Sequence, residues 1–141
     1  MTKSDLDTQA RQMLKAAKLY RTPSRIAVVK VLLRSTTPLT QDQISTTLGQ
    51  RKLDRVTVYR TLSSLVETGL VHKAYLDKRA WHFELADRCG RVQCHPHFTC
   101  RGCGLTKCLT EFSVPLVKGL KKGFVIHRQQ VRLEGLCPDC A

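Results

Sequence analysis

The sequence predicts an α+β protein. An N-terminal winged helix-turn-helix domain is expected over residues 1–85, a linker over 86–93, and a small mixed α/β domain over 94–141. Three observations predict it. The first half carries apolar residues at helical spacing in segments opened by capping residues, and these are followed by two strand-like runs. All seven cysteines lie at or after Cys89, so the two halves differ in composition. Two C-x-x-C pairs, Cys100/Cys103 and Cys137/Cys140, sit in the second half, which is too short to bury much apolar area and is expected to lean on metal.

The elements follow in order. Residues 5–18 place Leu6, Ala10, Met13, Leu14 and Ala17 on one helical stripe. Thr22-Pro23 opens a second helix, threonine as N-cap and proline at the first helical position, and Ile26–Leu33 is apolar almost all round. Pro38 breaks the chain. Thr40-Gln41-Asp42-Gln43 is a capping box for a third helix, stopped by Gly49. Asp54 caps a fourth, Arg55–Thr68, stopped by Gly69, with Val58, Leu62, Leu65 and Val66 as its buried stripe. Its other face carries Arg55, Thr57, Tyr59, Arg60 and Ser64. The runs 70–75 and 80–85 read as strands, with Asp77-Lys78-Arg79 as the turn between them. Helices followed by a basic hairpin make the winged form of helix-turn-helix, in which one helix enters the major groove and the wing rides on phosphates. In the second half, Leu105–Leu109 reads as a strand, Val114–Lys122 as a short helix ended by Gly123, and Phe124–Leu133 as a final strand.

The formal net charge is +13, an excess that predicts attraction to a polyanion. No apolar run reaches membrane-spanning length, and no helix pairs a basic face with a broad lipid-seeking one, so double-stranded DNA is favoured over a membrane surface. The polar residues Met1–Arg11 lack the apolar core of a signal peptide, and a cytoplasmic setting with reduced thiols is expected. On that expectation Cys100, Cys103, Cys137 and Cys140 form a four-thiolate site of the kind zinc takes in structural roles, in preference to two disulfides.

Arg55-Val56-Thr57-Val58-Tyr59-Arg60-Thr61-Leu62 resembles the recognition helix of the ferric-uptake-regulator superfamily. Arg21-Thr22-Pro23-Ser24-Arg25 matches the family's entry to its second helix. Phe83-Glu84-Leu85, His95-Pro96-His97 and the two knuckles fall in the family's order, so the resemblance runs from about residue 10 to the end of the chain. It implies a homodimeric, metal-sensing transcription repressor with a C-terminal dimerisation domain, and no enzyme. Tyr59 and Arg60 fall where family members contact operator DNA, as does Arg25.

The resemblance also implies a second, regulatory metal held between the two domains, with Glu84, His95, His97 and Cys108 as ligands and His72 as a substitute or additional one. For His72 the alternative is a wing residue beside phosphate. The chain departs from the family pattern in having Pro38 where iron and peroxide sensors offer a histidine, and Cys108 where many members have an acid or histidine. A further site of some members is not expected, since Cys94, Pro96 and Gln129 hold its positions. Four donors including a thiolate suit tetrahedral zinc, whereas iron and manganese prefer five or six oxygen and nitrogen donors. The resemblance therefore points to the zinc-uptake branch, with two Zn2+ per chain, a palindromic operator and zinc-acquisition genes as targets. An iron- or peroxide-responsive regulator is the alternative. A zinc hydrolase using His95, His97 and Glu84 as base is a remote one. Cys89 and Cys94 fit neither site cleanly, the alternatives being Cys94 as a substitute sensory ligand or both as exposed reduced thiols, and His82 and His127 read as ordinary strand residues.

Overall fold

In a computed structural model of the chain, the structure describes residues 2–49, 53–88 and 95–141. The chain divides into two units, Met1–Ala86 and Asp87–Ala141. The expected linker begins with a 3-10 turn, Ala86–Arg88, and the Ala86 N–H donates to the Leu70 carbonyl at 3.0 Å. The rest of that linker, with Cys89 and Cys94, lies outside the described residues.

The first unit contains α1 (Lys3–Ala16), α2 (Pro23–Arg34), β1 (Leu39–Thr40), α3 (Gln41–Leu48), α4 (Arg55–Glu67), β2 (Val71–Asp77) and β3 (Ala80–Leu85). α1 starts two residues earlier than its apolar stripe predicts, because Thr2 and Asp5 form a reciprocal capping box. Thr22 caps α2 by accepting from the Arg25 N–H at 3.3 Å. α3 opens on a second capping box. The Thr40 hydroxyl accepts from Gln43 N–H at 3.1 Å, and the Gln43 side chain accepts from Thr40 N–H at 2.8 Å. Asp54 caps α4 through the Thr57 N–H at 2.7 Å.

Ala10, Leu14, Val28, Ile44, Val58 and Leu65 are fully enclosed at the centre of this unit, and Val71, Phe83 and Leu85 of the sheet close the core from one side. On α4 the buried positions are Val58, Thr61, Leu62 and Leu65. Thr61 takes the inward place expected of Val66, which is only partly buried at the edge of the core. β1, β3 and β2 form an antiparallel sheet in that order, with β2 and β3 as the wing. The wing's turn is Lys78-Arg79, both left-handed at φ 47° and 64°, the backbone of a two-residue type I′ hairpin. The register shifts by one between Lys73 and Tyr75. That bulge sets His72 directly opposite Glu84.

Thr40 stabilises α3, and α3 packs under α4. Thr40→Ala is expected to cost about 1 kcal/mol, which lowers Tm by about 4–8 °C for a unit of this size; thermal unfolding followed by circular dichroism checks it.

The second unit is a sheet ordered β5–β4–β6: β4 (His97–Cys100) pairs antiparallel with β5 (Thr106–Cys108) and parallel with β6 (Arg132–Gly135). Two expectations are corrected here. Val114–Lys122 is not helical. Gln129 reaches into this segment, accepting from the Val117 N–H at 2.8 Å and donating to the Pro115 carbonyl at 3.1 Å, and Gly119 turns left-handed at φ 79°. Leu116, Val117 and Leu120 stay exposed, so a helix here would have no packed face to stabilise it. The final strand is confined to Arg132–Gly135, since Phe124, Val125 and Ile126 lie exposed without a regular ladder.

Candidate metal centres and nucleic-acid face

The four knuckle cysteines meet in the second unit because β4 delivers Cys100 and the segment after β6 delivers Cys137. Cys100 pairs with Gly135, two residues before Cys137, and Arg101 N–H donates to the Gly135 carbonyl at 2.7 Å. Each knuckle closes on itself in the same way: Gly104 N–H donates to the Cys100 carbonyl at 3.0 Å, and Ala141 N–H to the Cys137 carbonyl at 2.9 Å. The four sulfurs lie within 4.8 Å of one another, and Cys103 and Cys137 Sγ are 3.8 Å apart. Metal–thiolate bonds of about 2.3 Å at the tetrahedral angle put sulfurs about 3.8 Å apart, so the donor set fits a tetrahedral ion. The backbone N–H groups of Cys103 and Cys137 point to Cys100 Sγ and bring its thiol down to about 6. Cys140, which shares hydrogen bonds with Cys137, Cys103 and Cys100, is pushed up to about 12. One thiol is thus eased toward thiolate while its sulfur neighbours hold Cys103 and Cys140 protonated, so metal uptake there must release protons.

Gly102 lies inside this cluster, and a Cβ on it would stand 3.0 Å from Cys140 Sγ and 3.1 Å from Cys140 Cβ. Gly102→Ala is therefore expected to weaken metal retention by about tenfold, the equivalent of about 1.4 kcal/mol, as read by competition with a chromophoric chelator.

A second donor group in the same unit is His95, His97 and Cys108. Their ligating atoms lie within 4.8 Å of one another, and the two imidazoles are tilted at 4.6 Å between centroids. The strands do the positioning. His97 and Cys108 face each other in the β4–β5 register, and Leu109 N–H donates to the Pro96 carbonyl at 2.9 Å. His97 is 2% exposed. Two nitrogens and one sulfur make three ligands, one short of a closed tetrahedral site.

In the first unit, Glu84 is 1% exposed and its Oε1 lies 2.9 Å from His72 Nε2. A carboxylate that deep demands a partner, and the bulge in β2 supplies one. His72 is therefore buried beside that carboxylate. His82 stacks on Tyr75 at 4.4 Å, and His127 is exposed.

The outer face of α4 presents Tyr59, 60% exposed, and Arg60. Arg55 is exposed too, but its guanidinium pairs with Asp42. Thr57 is half-buried. Arg25 is half-buried as well, donating to the Tyr20 carbonyl and to Ser64 Oγ at 3.1 Å each, and so ties α2 to α4. Hydrogen bonds from Thr57 hold the Asp54 carboxyl below the usual range and keep the cap charged. Of the five residues expected at DNA, Tyr59, Arg60 and Arg55 are exposed, and Arg25, Thr57 and Arg60 line one cleft. Among the described residues no helix is long and apolar enough to cross a membrane.

Known proteins can be set beside this geometry. Residues 16–133 match the ferric uptake regulator family. A ferric uptake regulation protein of Campylobacter jejuni is 27% identical over 140 residues, covering 92% of this chain and 85% of that protein. The transcriptional regulator FurA of Mycobacterium tuberculosis is 32% identical over 92 residues, covering 63% and 60%. Among solved structures, the Helicobacter pylori ferric uptake regulator superposes with a TM-score of 0.63 at 21% identity, covering 99% of this chain and 94% of that one. A zinc uptake regulator solved with zinc and DNA superposes at 0.66 and 22% identity, covering 99% and 95%. At such identities the likeness concerns the fold.

Proposed function

The chain belongs to the ferric uptake regulator family of metal-responsive transcription regulators, and from that premise we propose that it is a zinc-responsive repressor of zinc-acquisition genes. The observation that carries this reading is the His95–His97–Cys108 donor group, whose thiolate and imidazoles suit zinc better than iron or manganese. Glu84 would complete that regulatory set, with His72 orienting its carboxylate or joining as a ligand. Cys100, Cys103, Cys137 and Cys140 would hold the structural zinc.

Held by these donors, zinc would supply a positive centre, and its binding would favour the arrangement of the chain in which they converge. The remaining work is done by side chains. Tyr59 and Arg60 would reach base edges in the major groove, with Arg55 and Thr57 at their margin and Arg25 holding the helix that presents them. The wing cations Lys73, Lys78 and Arg79 would lie along the phosphates. Leu116, Val117, Leu120, Phe124 and Val125 are exposed in the single chain, an apolar surface that fits the interface of a homodimer. A two-fold dimer reads a palindromic operator. Such a protein would act in the cytoplasm.

An iron-responsive regulator is the second reading, favoured by the ferric uptake names of the relatives. The test is DNA selected from a random pool with the metal-loaded protein, then titrated at buffered free Zn2+, Fe2+ and Mn2+. Dyad-symmetric sites whose affinity rises with Zn2+ alone are expected. Recovery of binding by Fe2+ and not by Zn2+ would overturn the assignment.

A further inference from the structure

We propose that the cleft between α4 and the wing is an effector site for a planar aromatic carboxylate. The cleft has a volume of about 530 Å3 and lies wholly within the first unit. The cleft is open to solvent, and its volume falls in the range of ligand sites. Its apolar lining includes Leu62 and Phe83, both buried, with Val66 and Ala80. Tyr59 and Trp81 line it as well, 60% and 38% exposed, large flat faces that water covers poorly and an aromatic ring covers well.

The charges select the ligand. Lys73 and Arg79 line the cleft, and Lys73 Nζ stands 5.1 Å from the centroid of the Trp81 ring. An aromatic group stacked against Trp81 therefore puts a carboxylate substituent within reach of an ammonium group, where a charge-assisted hydrogen bond adds to the stacking. The lining acids are Asp42, whose carboxylate is engaged by Arg55, and Glu67. Tyr59 is both a wall of the cleft and a proposed DNA contact, so an occupied cleft competes with operator. That competition rests on the DNA-binding reading, whereas ligand binding does not.

Trp81 is the single tryptophan of the chain, so its indole N–H resonance in a 15N-labelled full-length, metal-loaded sample reports on this cleft alone. Titration with 2-naphthoate is expected to shift that resonance saturably, and neutral 2-naphthamide to bind about tenfold more weakly. Lys73→Met is expected to erase the preference for the acid while leaving the amide's affinity unchanged. No saturable shift, equal affinity for both probes, or an unchanged preference in Lys73→Met overturns the site. A clean naphthoate site with undiminished operator affinity at saturation overturns the effector role. A protein that binds no DNA even without naphthoate marks instead a failure of the repressor reading.

Discussion

Cys100→Ser is expected to abolish the structural zinc site proposed at the knuckles and to unfold the second unit, while α1–α4 stay folded. The two units are stabilised by different means. In the first, more than a dozen apolar side chains are buried in one cluster spanning all four helices and the wing. In the second, the buried hydrophobic residues among those described are Cys100 and Cys137, and large apolar side chains such as Phe124 and Val125 are 69% and 74% exposed. A sheet of three short strands with so little buried apolar area cannot offset its conformational entropy. Structural zinc binding in small domains contributes on the order of 10–16 kcal/mol, and that binding is the folding free energy. Replacing a buried thiolate by serine removes a ligand from a soft-donor site and leaves a hydroxyl where the ion needs charge. Hydrogen exchange would then show full exchange at Phe98, Thr99 and Leu133 with unchanged protection at Val29 and Leu65, and metal analysis would show one ion fewer per chain. Retained protection in β4 and β6 of the ion-depleted variant would mean that apolar contacts or the partner chain, and not the ion, hold the sheet.

The contrast between the units also explains what the sequence made legible. Caps are local, so Thr22, Thr40 and Asp54 could be read from two or three neighbouring residues, and α2, α3 and α4 begin where they predict. The C-x-x-C spacing is local too, and the four sulfurs converge as the spacing implies. The wing was legible as a hairpin but its register was not. Counting straight back from the Lys78-Arg79 turn would set Lys73 opposite Glu84; the bulge between Lys73 and Tyr75 sets His72 there instead. Nothing in the local sequence marks that extra residue, yet it decides which side chain partners the buried carboxylate. The segment 114–131 failed for a different reason. Its apolar periodicity describes faces that nothing covers among the described residues, so Val114–Lys122 and Phe124–Val131 lack the tertiary packing that would turn propensity into regular structure. Thr61 in place of Val66 on α4 is a smaller instance: a stripe read at helical spacing gives the face, but the depth of each position depends on what packs against it.

His97→Ala and Cys108→Ala are each expected to remove the zinc dependence of operator binding and leave the knuckle ion in place. Both donors stand on paired strands, His97 on β4 and Cys108 on β5, directly across the ladder from each other. Their positions are set by main-chain hydrogen bonds that alanine preserves, so the substitution removes a ligand without removing the strand. If zinc moves the DNA-competent population from about 1% to nearly all of the protein, apparent operator affinity changes by about a hundredfold, because the apparent dissociation constant scales inversely with the competent fraction. The variants should therefore bind DNA about a hundredfold more weakly at saturating zinc than the parent, and no more weakly than the parent without zinc. His72→Gln separates the two roles open to His72. Glutamine can still hydrogen-bond Glu84 but is a poor zinc ligand, so an orienting role predicts a retained zinc response with affinity reduced by about tenfold. A ligand role predicts the full loss seen in His97→Ala. Unchanged zinc dependence in both His97→Ala and Cys108→Ala, with metal content at the knuckles intact, would mean that the ion controlling DNA binding is held somewhere other than beside β4 and β5.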